Sequence, residues 1–152
     1  MNVIFLDVDG VLNTHYTRTR TSDGWCFVDD HLVAQLRKLV DLSGARIVLS
    51  STWREGWNQE NESLNDISFT ELRNKLNEFN IEIFDRTGDM RQHRWQSIQE
   101  YLERPREEPI EHYVIIDDWD DMGQYMNHLV LTDAGVGLAD EDIQEALRVL
   151  EI

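Results

Sequence analysis

Short apolar runs alternate with amphipathic segments along this chain. β-branched apolar runs bounded by polar residues are typical of buried strands, whereas apolar residues three and four positions apart indicate helices. The pattern predicts strands at residues 3–6, 45–51, 81–84, 112–117 and 128–133. It predicts helices from residue 29 to a stop at Gly44, and over residues 69–79, 94–103 and 140–150. Alternating strands and helices predict a three-layer, Rossmann-like α/β fold, in which helices cover both faces of a five-stranded, mainly parallel sheet.

The segment between the first strand and the first helix has a different pattern. Threonines alternate there with Arg18 and Arg20, and Asp23-Gly24 is a turn signal. This predicts a β-hairpin flap over about residues 14–28. The two arginines are candidate substrate contacts, although an ordinary exposed hairpin with threonines favoured for strand propensity explains the pattern equally well.

Length and composition narrow the class of protein. The 152 residues suit a single domain over 1–152, and no apolar run approaches the roughly 20 residues that span a membrane. The first residues lack the basic region of a signal peptide, and the single cysteine, Cys26, fits a reducing compartment. We therefore expect a cytoplasmic protein. The formal net charge of −16 weighs against general nucleic-acid binding.

Polar side chains close three of the predicted strands, and in a parallel sheet such strand ends face one ligand-binding crevice. The pairs are Asp7 and Asp9, Ser50 and Ser51, and Asp117 and Asp118. Side chains at positions i and i+2 of an extended segment share a face, so Asp7 and Asp9 repel each other unless a proton or a cation intervenes. Mg²⁺, which prefers oxygen ligands, is the expected cation.

Three stretches resemble motifs of the haloacid dehalogenase (HAD) superfamily of phosphatases. They are FLDVDGVLN at residues 5–13, RIVLSSTWR at 46–54 and YVIIDDWDD at 113–121. Together with the HLVLTD tail, they are similar to the small HAD domain of Swiss Army Knife RNA repair proteins. The intervals between the motifs are too short for a full lid, so we expect a minimal cap and an open site.

The resemblance implies a role for each acidic residue. Asp7 would be the nucleophile that forms an aspartyl-phosphate, and Asp9 would be the general acid and then the general base. Mg²⁺ would be held by the Asp7 and Asp118 carboxylates and the Asp9 main-chain carbonyl. Asp117 would orient the ligands of the metal or join them.

The resemblance also implies phosphate-binding residues. Ser50 is the expected hydroxyl, and Ser51, one position on, is the alternative. The HAD pattern has a lysine before the fourth strand, which this sequence lacks. Arg94 is the expected substitute and Arg91 the alternative, because a guanidinium also grips phosphate.

Two residues after the second strand are weaker candidates for substrate contact. Arg54 is expected to reach substrate, and Trp53 is expected to stack on a base or to pack the loop against the core.

The sequence thus predicts a Mg²⁺-dependent phosphomonoesterase whose candidate substrates include RNA or DNA ends. A phosphatase for nucleotides or sugar phosphates and a non-catalytic metal-binding or receiver-like module are the alternatives. A receiver domain has a lysine on its last strand, and residues 128–133 contain none.

Overall fold

The computed structural model describes residues 1–89 and 91–152. Within these ranges, five strands form one sheet in which every neighbouring pair is parallel. The strands are β1 (Asn2–Leu6), β2 (Arg46–Leu49), β3 (Ile83–Arg86), β4 (His112–Asp117) and β5 (Leu129–Leu131). Their order across the sheet is β3-β2-β1-β4-β5. The predicted parallel sheet is therefore confirmed.

Helices cover both faces of this sheet, as the alternation of patterns predicts. They are α1 (Asp30–Ser43), α2 (Ile67–Glu78), α3 (Arg94–Glu103) and α4 (Asp140–Val149). Buried side chains of α1, α2 and α4 pack on the face formed by Ile4 and Leu6. Ile98 and Tyr101 of α3 pack on the opposite face against Val3 and Phe5. The fold is a three-layer α/β structure.

The position of β1 between β2 and β4 brings three strand ends together. Leu6, the last residue of β1, lies opposite Leu49 of β2 and Ile116 of β4. Parallel strands that end in register present their next residues at the same edge of the sheet. The polar residues that follow β1, β2 and β4 therefore share one crevice.

Apart from shifts of a few residues at the ends of other elements, the secondary structure differs from the prediction in the loop 14–28 and in β3. The segment 14–28 has a single antiparallel bridge, between Arg20 and Cys26, instead of a hairpin ladder. Its threonines bond locally, because Thr17 Oγ1 accepts from the Thr14 amide and Thr21 Oγ1 accepts from the Trp25 amide. Such side-chain bonds compete with strand pairing.

The second difference concerns β3, which begins at Ile83 rather than Ile81 and continues through two charged residues. These residues are tolerated because Asp85 accepts a hydrogen bond from the Tyr101 hydroxyl and Arg86 donates to the Arg54 and Trp57 carbonyls. Hydrogen bonds to these two charged side chains therefore allow the strand to continue beyond its apolar run.

No full lid covers the crevice within the described ranges. The segment after β1 is the loop 14–28, and the segment after β2 holds only the 3₁₀ turns Thr52–Gly56 and Glu62–Leu64 before α2. This matches the expected minimal cap. None of the helices in the described ranges is long and apolar enough to cross a membrane.

Candidate active site

Asp7 and Asp9 follow β1 but have different surroundings. The Asp7 amide donates to the Ile116 carbonyl at 3.0 Å, so the chain remains paired with β4, and the Asp7 side chain is only 6% exposed. The backbone then turns at Val8, whose carbonyl accepts from the amides of Val11 and Leu12. The turn leaves Asp9 exposed at the rim of the crevice.

Three carboxylates meet at the crevice floor. One oxygen each of Asp7, Asp117 and Asp118 lies within 4.8 Å of the other two. We call these three residues the acid cluster. Asp7 and Asp117 are buried, whereas Asp118 is exposed. The sequence expectation that acids from the first and fourth strands converge is therefore met for these three side chains.

Gly10 is what allows Asp118 to approach. Its φ is +80°, and a Cβ at this position would lie 2.3 Å from Asp118 Oδ2 and 2.6 Å from Asp118 Cγ. Only glycine combines this left-handed backbone with the absence of a side chain. The buried Thr132 hydroxyl donates to the Gly10 carbonyl at 2.9 Å, which holds the turn against the end of β5.

Arg94 is the basic residue that reaches the acid cluster. It is the first residue of α3, and its Nη1 atom lies 2.6 Å from Asp117 Oδ2 and 3.1 Å from Asp7 Oδ1. Arg91, the alternative from the sequence, is exposed and pairs with Glu100 at 2.7 Å instead. The geometry thus places the expected residue, Arg94, at the acid cluster and the alternative, Arg91, away from it.

The acid cluster carries more negative charge than one guanidinium balances. Burial raises the pKa of Asp7 well above its ordinary range, and the neighbouring Asp117 charge raises it further, while Arg94 opposes both effects. Burial also raises the pKa of Asp117, again against Arg94. A hard divalent cation prefers oxygen ligands, and a cation among these crowded carboxylates would offset their excess negative charge. The residues present therefore fit Mg²⁺.

The two serines after β2 have different partners. Ser50 is 2% exposed, and its hydroxyl has no hydrogen-bond partner among the described residues. The Ser51 hydroxyl accepts from the Trp53 amide at 3.1 Å and caps the turn Thr52–Gly56. A buried hydroxyl without a partner is unfavourable until a ligand satisfies it, so Ser50 is the one open to a phosphate oxygen.

Two neighbouring donors fix the Asp9 carboxylate. Asn13 Nδ2 donates to Asp9 Oδ1 at 2.9 Å, and Trp53 Nε1 donates to Asp9 Oδ2 at 3.2 Å. Asn13 also accepts from the Gly10 amide at 2.9 Å and donates to the Phe27 carbonyl. The sequence reasoning missed Asn13; its signal was a polar residue that closes the otherwise apolar GVLN stretch.

Arg54 lies inside the protein, contrary to the expectation that it contacts substrate. The residue is 1% exposed. Its guanidinium donates to the Gly88 carbonyl at 2.8 Å and to the Ser51 carbonyl at 2.8 Å. Arg54 therefore holds the loop after β2 in place.

Two clefts flank Asp9. The first, of about 410 Å³, is lined by Asp9, Trp25, Cys26, Thr52, Trp53 and Ser68, and we call it the aromatic cleft. The second, of about 380 Å³, has Asp9 and Asp118 on its wall together with His15 and Arg20. Arg18 is also exposed on the same loop, but it is not among the lining residues of either cleft.

A comparison with known proteins agrees with this architecture. The family model for the HAD domain in Swiss Army Knife RNA repair proteins matches residues 3–143, a range that contains the acid cluster, Ser50 and Arg94. No curated protein matches the chain. The match extends from β1 into α4, and the HAD domain indicates a phosphatase type of function. By its sequence over nearly its whole length, the chain belongs to the family of HAD domains found in Swiss Army Knife RNA repair proteins.

Proposed function

We propose that the protein is a Mg²⁺-dependent phosphomonoesterase that works through an aspartyl-phosphate on Asp7. The observation that carries this proposal is the convergence of the acid cluster and Arg94 beside the unpartnered Ser50 hydroxyl. Carboxylates alone would repel a phosphate dianion. The combination with one guanidinium and an open hydroxyl supports a site for a cation and a phosphate together.

The acid cluster would hold the metal. Asp7 and Asp118 would be carboxylate ligands, and Asp117 would join them or orient them. The Asp9 main-chain carbonyl remains the third ligand expected from the resemblance, beside the Asp7 and Asp118 carboxylates. When bound, Mg²⁺ neutralises phosphate charge that otherwise keeps a carboxylate away.

Asp7 and Asp9 would divide the chemistry between them. An Asp7 oxygen forms a bond to phosphorus while the bond from phosphorus to the leaving oxygen breaks, and Asp9 gives that oxygen a proton. Water then attacks the phosphorus of the aspartyl-phosphate, and the Asp9 carboxylate takes the proton of this water. The bond from Asp7 to phosphorus breaks, which releases inorganic phosphate and restores both carboxyl groups. The exposure of Asp9 suits this role, because the leaving group departs toward solvent.

Arg94 and Ser50 would bind the phosphoryl oxygens. Arg94 Nη1 already lies 3.1 Å from Asp7 Oδ1, so the guanidinium is next to the attacking atom. The Ser50 hydroxyl would donate to a second oxygen and thereby gain the partner that it lacks among the described residues. Ser51 is a weaker candidate because its hydroxyl already caps a turn.

We propose polynucleotide ends as the substrate. The site has no full lid within the described ranges, and the family is that of RNA repair proteins. The exposed Arg18 and Arg20 on the adjoining loop would give a local grip on a backbone phosphate in spite of the net charge of −16. We further propose that the protein acts in the cytoplasm.

The test measures phosphate release from phosphorylated oligonucleotides and nucleoside monophosphates, with Mg²⁺ or with a chelator. We expect release only with Mg²⁺, and a loss of at least about 10³-fold in Asp7→Asn. Asp120→Asn is the matched control, because Asp120 is an exposed acid two residues beyond the acid cluster. Unchanged release in Asp7→Asn would exclude Asp7 as the nucleophile. Absence of release from every ester would favour a non-catalytic metal-binding module.

A further inference from the structure

Apart from Asp9 on its wall, the aromatic cleft has no role in the chemistry proposed above. Its volume of about 410 Å³ is within the range of small-molecule sites. Trp25 is 67% exposed at its edge, and large apolar side chains gathered at a concave surface mark binding sites more often than isolated ones do. What the cleft could hold depends on how its two tryptophans are positioned.

Trp25 is presented by an anchored loop. The Trp25 amide donates to Thr21 Oγ1 at 2.9 Å, and the Trp25 carbonyl accepts from the Thr21 amide at 2.8 Å. The loop is tied to α2, because the Ser22 amide donates to the Glu71 carboxylate and Ser68 donates to Asp23. An exposed ring on a fixed backbone loses little entropy when a ligand packs on it.

Trp53 connects the cleft to the reacting atoms. Its indole N–H donates to Asp9 Oδ2 at 3.2 Å, and its ring packs on Phe27 with centroids 6.4 Å apart. In the proposed reaction Asp9 protonates the leaving oxygen. The cleft therefore begins where the leaving group of the ester is attached.

The charge of the cleft limits what it can accept. Its lining contains one carboxylate, from Asp9, and no basic side chain, so a second phosphate is disfavoured. Thr52 and Ser68 add hydroxyls to the two indoles. A flat, uncharged ring with polar edges suits this combination, and bases stack on aromatic side chains with little dependence on sequence.

Resting on the proposed phosphatase function, we propose that the aromatic cleft binds the base of the nucleotide that carries the scissile phosphate. Trp25 and Trp53 would stack on the base, and Thr52 and Ser68 would face its polar edge. The nucleotide would be either free or the end of a polynucleotide, since both offer the same base and phosphate.

The test compares substrates with and without a base. Phosphate release is measured for a nucleoside monophosphate, for a phosphorylated dinucleotide, and for the sugar phosphate that lacks the base. We expect Trp25→Ala to lower kcat/KM for the base-bearing esters by about 10-fold, mainly through KM, and to leave the sugar phosphate unchanged. Trp25→Phe should restore most of the loss, because a smaller ring still stacks.

Tyr16→Ala is the matched control, because Tyr16 is an aromatic residue of the same loop that is 79% exposed and does not line the cleft. A wild-type kcat/KM that is higher for the dinucleotide than for the nucleoside monophosphate would identify polynucleotide ends as the source of the base. A kcat/KM that is equal or higher for the nucleoside monophosphate would identify free nucleotides. Both results support the cleft assignment.

Two results would overturn the cleft assignment while the phosphatase function stands. One is equal kcat/KM of the wild type for esters with and without a base. The other is a loss in Trp25→Ala that is the same for both kinds of ester.

A binding measurement separates failure of the cleft assignment from failure of the phosphatase function. A nucleoside monophosphate should quench the tryptophan fluorescence of Asp7→Asn, and the quenching should weaken when Trp25→Phe is added. Quenching without hydrolysis by the wild type would refute the phosphatase function and support the cleft. Neither quenching nor hydrolysis would refute both.

Discussion

Replacement of Gly10 by alanine tests whether the acid cluster depends on one close backbone approach. The added Cβ would lie 2.3 Å from Asp118 Oδ2, whereas real Cβ contacts essentially never fall below 3.0 Å. Asp118 must therefore move by at least about 0.7 Å, which exceeds the tolerance of about 0.2 Å in metal–ligand distances. Gly10 also has a φ of +80°, a conformation that costs an alanine about 1–2 kcal/mol.

These two effects predict two separate losses. The strained backbone of alanine at this φ should lower the free energy of unfolding by about 1–2 kcal/mol with or without metal. The displaced Asp118 should weaken Mg²⁺ binding by about 10- to 100-fold, as changes in metal-site geometry commonly do. At a Mg²⁺ concentration that saturates the wild type, the weaker binding should lower the free energy of unfolding by roughly a further 1.4–2.7 kcal/mol.

Urea denaturation in chelator and in Mg²⁺, with calorimetric titration of Mg²⁺, measures both losses. Gly44→Ala is the matched control, because Gly44 ends α1 at a φ of +64° and a Cβ there would meet nothing within 4 Å. We expect Gly44→Ala to show the backbone loss but to bind Mg²⁺ like the wild type. Wild-type Mg²⁺ affinity in Gly10→Ala would refute the inference that Gly10 makes room for Asp118 as the proposed metal ligand.

Three further predictions concern charged residues of the site and its support. Arg94→Lys should retain activity within about 10-fold, because a single nitrogen of Arg94 makes both carboxylate contacts and a lysine can supply one nitrogen. Arg94→Ala should lower activity by about 100-fold or more. Equal phosphate release by the two variants would contradict the prediction. Burial raises the pKa of Asp7, so the folded state binds its proton more tightly than the unfolded state does, and metal-free stability should fall as the pH rises above about 3.9. Urea titrations in chelator should show a smaller fall in Asp7→Asn, and identical slopes would argue against a raised pKa. Arg54→Met should lower the free energy of unfolding by about 3 kcal/mol or more, because the buried carbonyls lose their charged donor. The control Arg18→Met, on the surface, should change this free energy by less than about 0.5 kcal/mol. Similar urea midpoints for the two variants would contradict the prediction.

Periodicity predicted most of the fold because it records which side chains are buried. The apolar run from Val3 to Leu6 and the helical spacing that ends at Gly44 correspond to β1 and α1 of the structure. Periodicity does not predict the backbone where hydrogen bonding rather than burial decides its conformation. The threonines of the loop 14–28 bond locally, and charged Asp85 and Arg86 continue β3 because distant groups satisfy them.

The sequence by itself determined that acids and hydroxyls follow three of the strands, and its motifs indicated the family. The sequence favoured Arg94 over Arg91 and Ser50 over Ser51, but only the tertiary structure decided which partners each of these side chains has. Arg94 and Arg91 differ because the acid cluster draws the first and Glu100 pairs with the second. Ser50 and Ser51 differ because only Ser51 caps a turn.

The buried Arg54 and the aromatic cleft were also decided by the tertiary structure. Their neighbours come from distant parts of the chain: Arg54 donates to the Gly88 carbonyl, and Trp53 donates to Asp9, 44 residues away. Local patterns encode burial and turn chemistry, whereas such contacts depend on how the strands are ordered in the sheet. The order that places β1 between β2 and β4 is therefore the physical reason that scattered polar residues become one site.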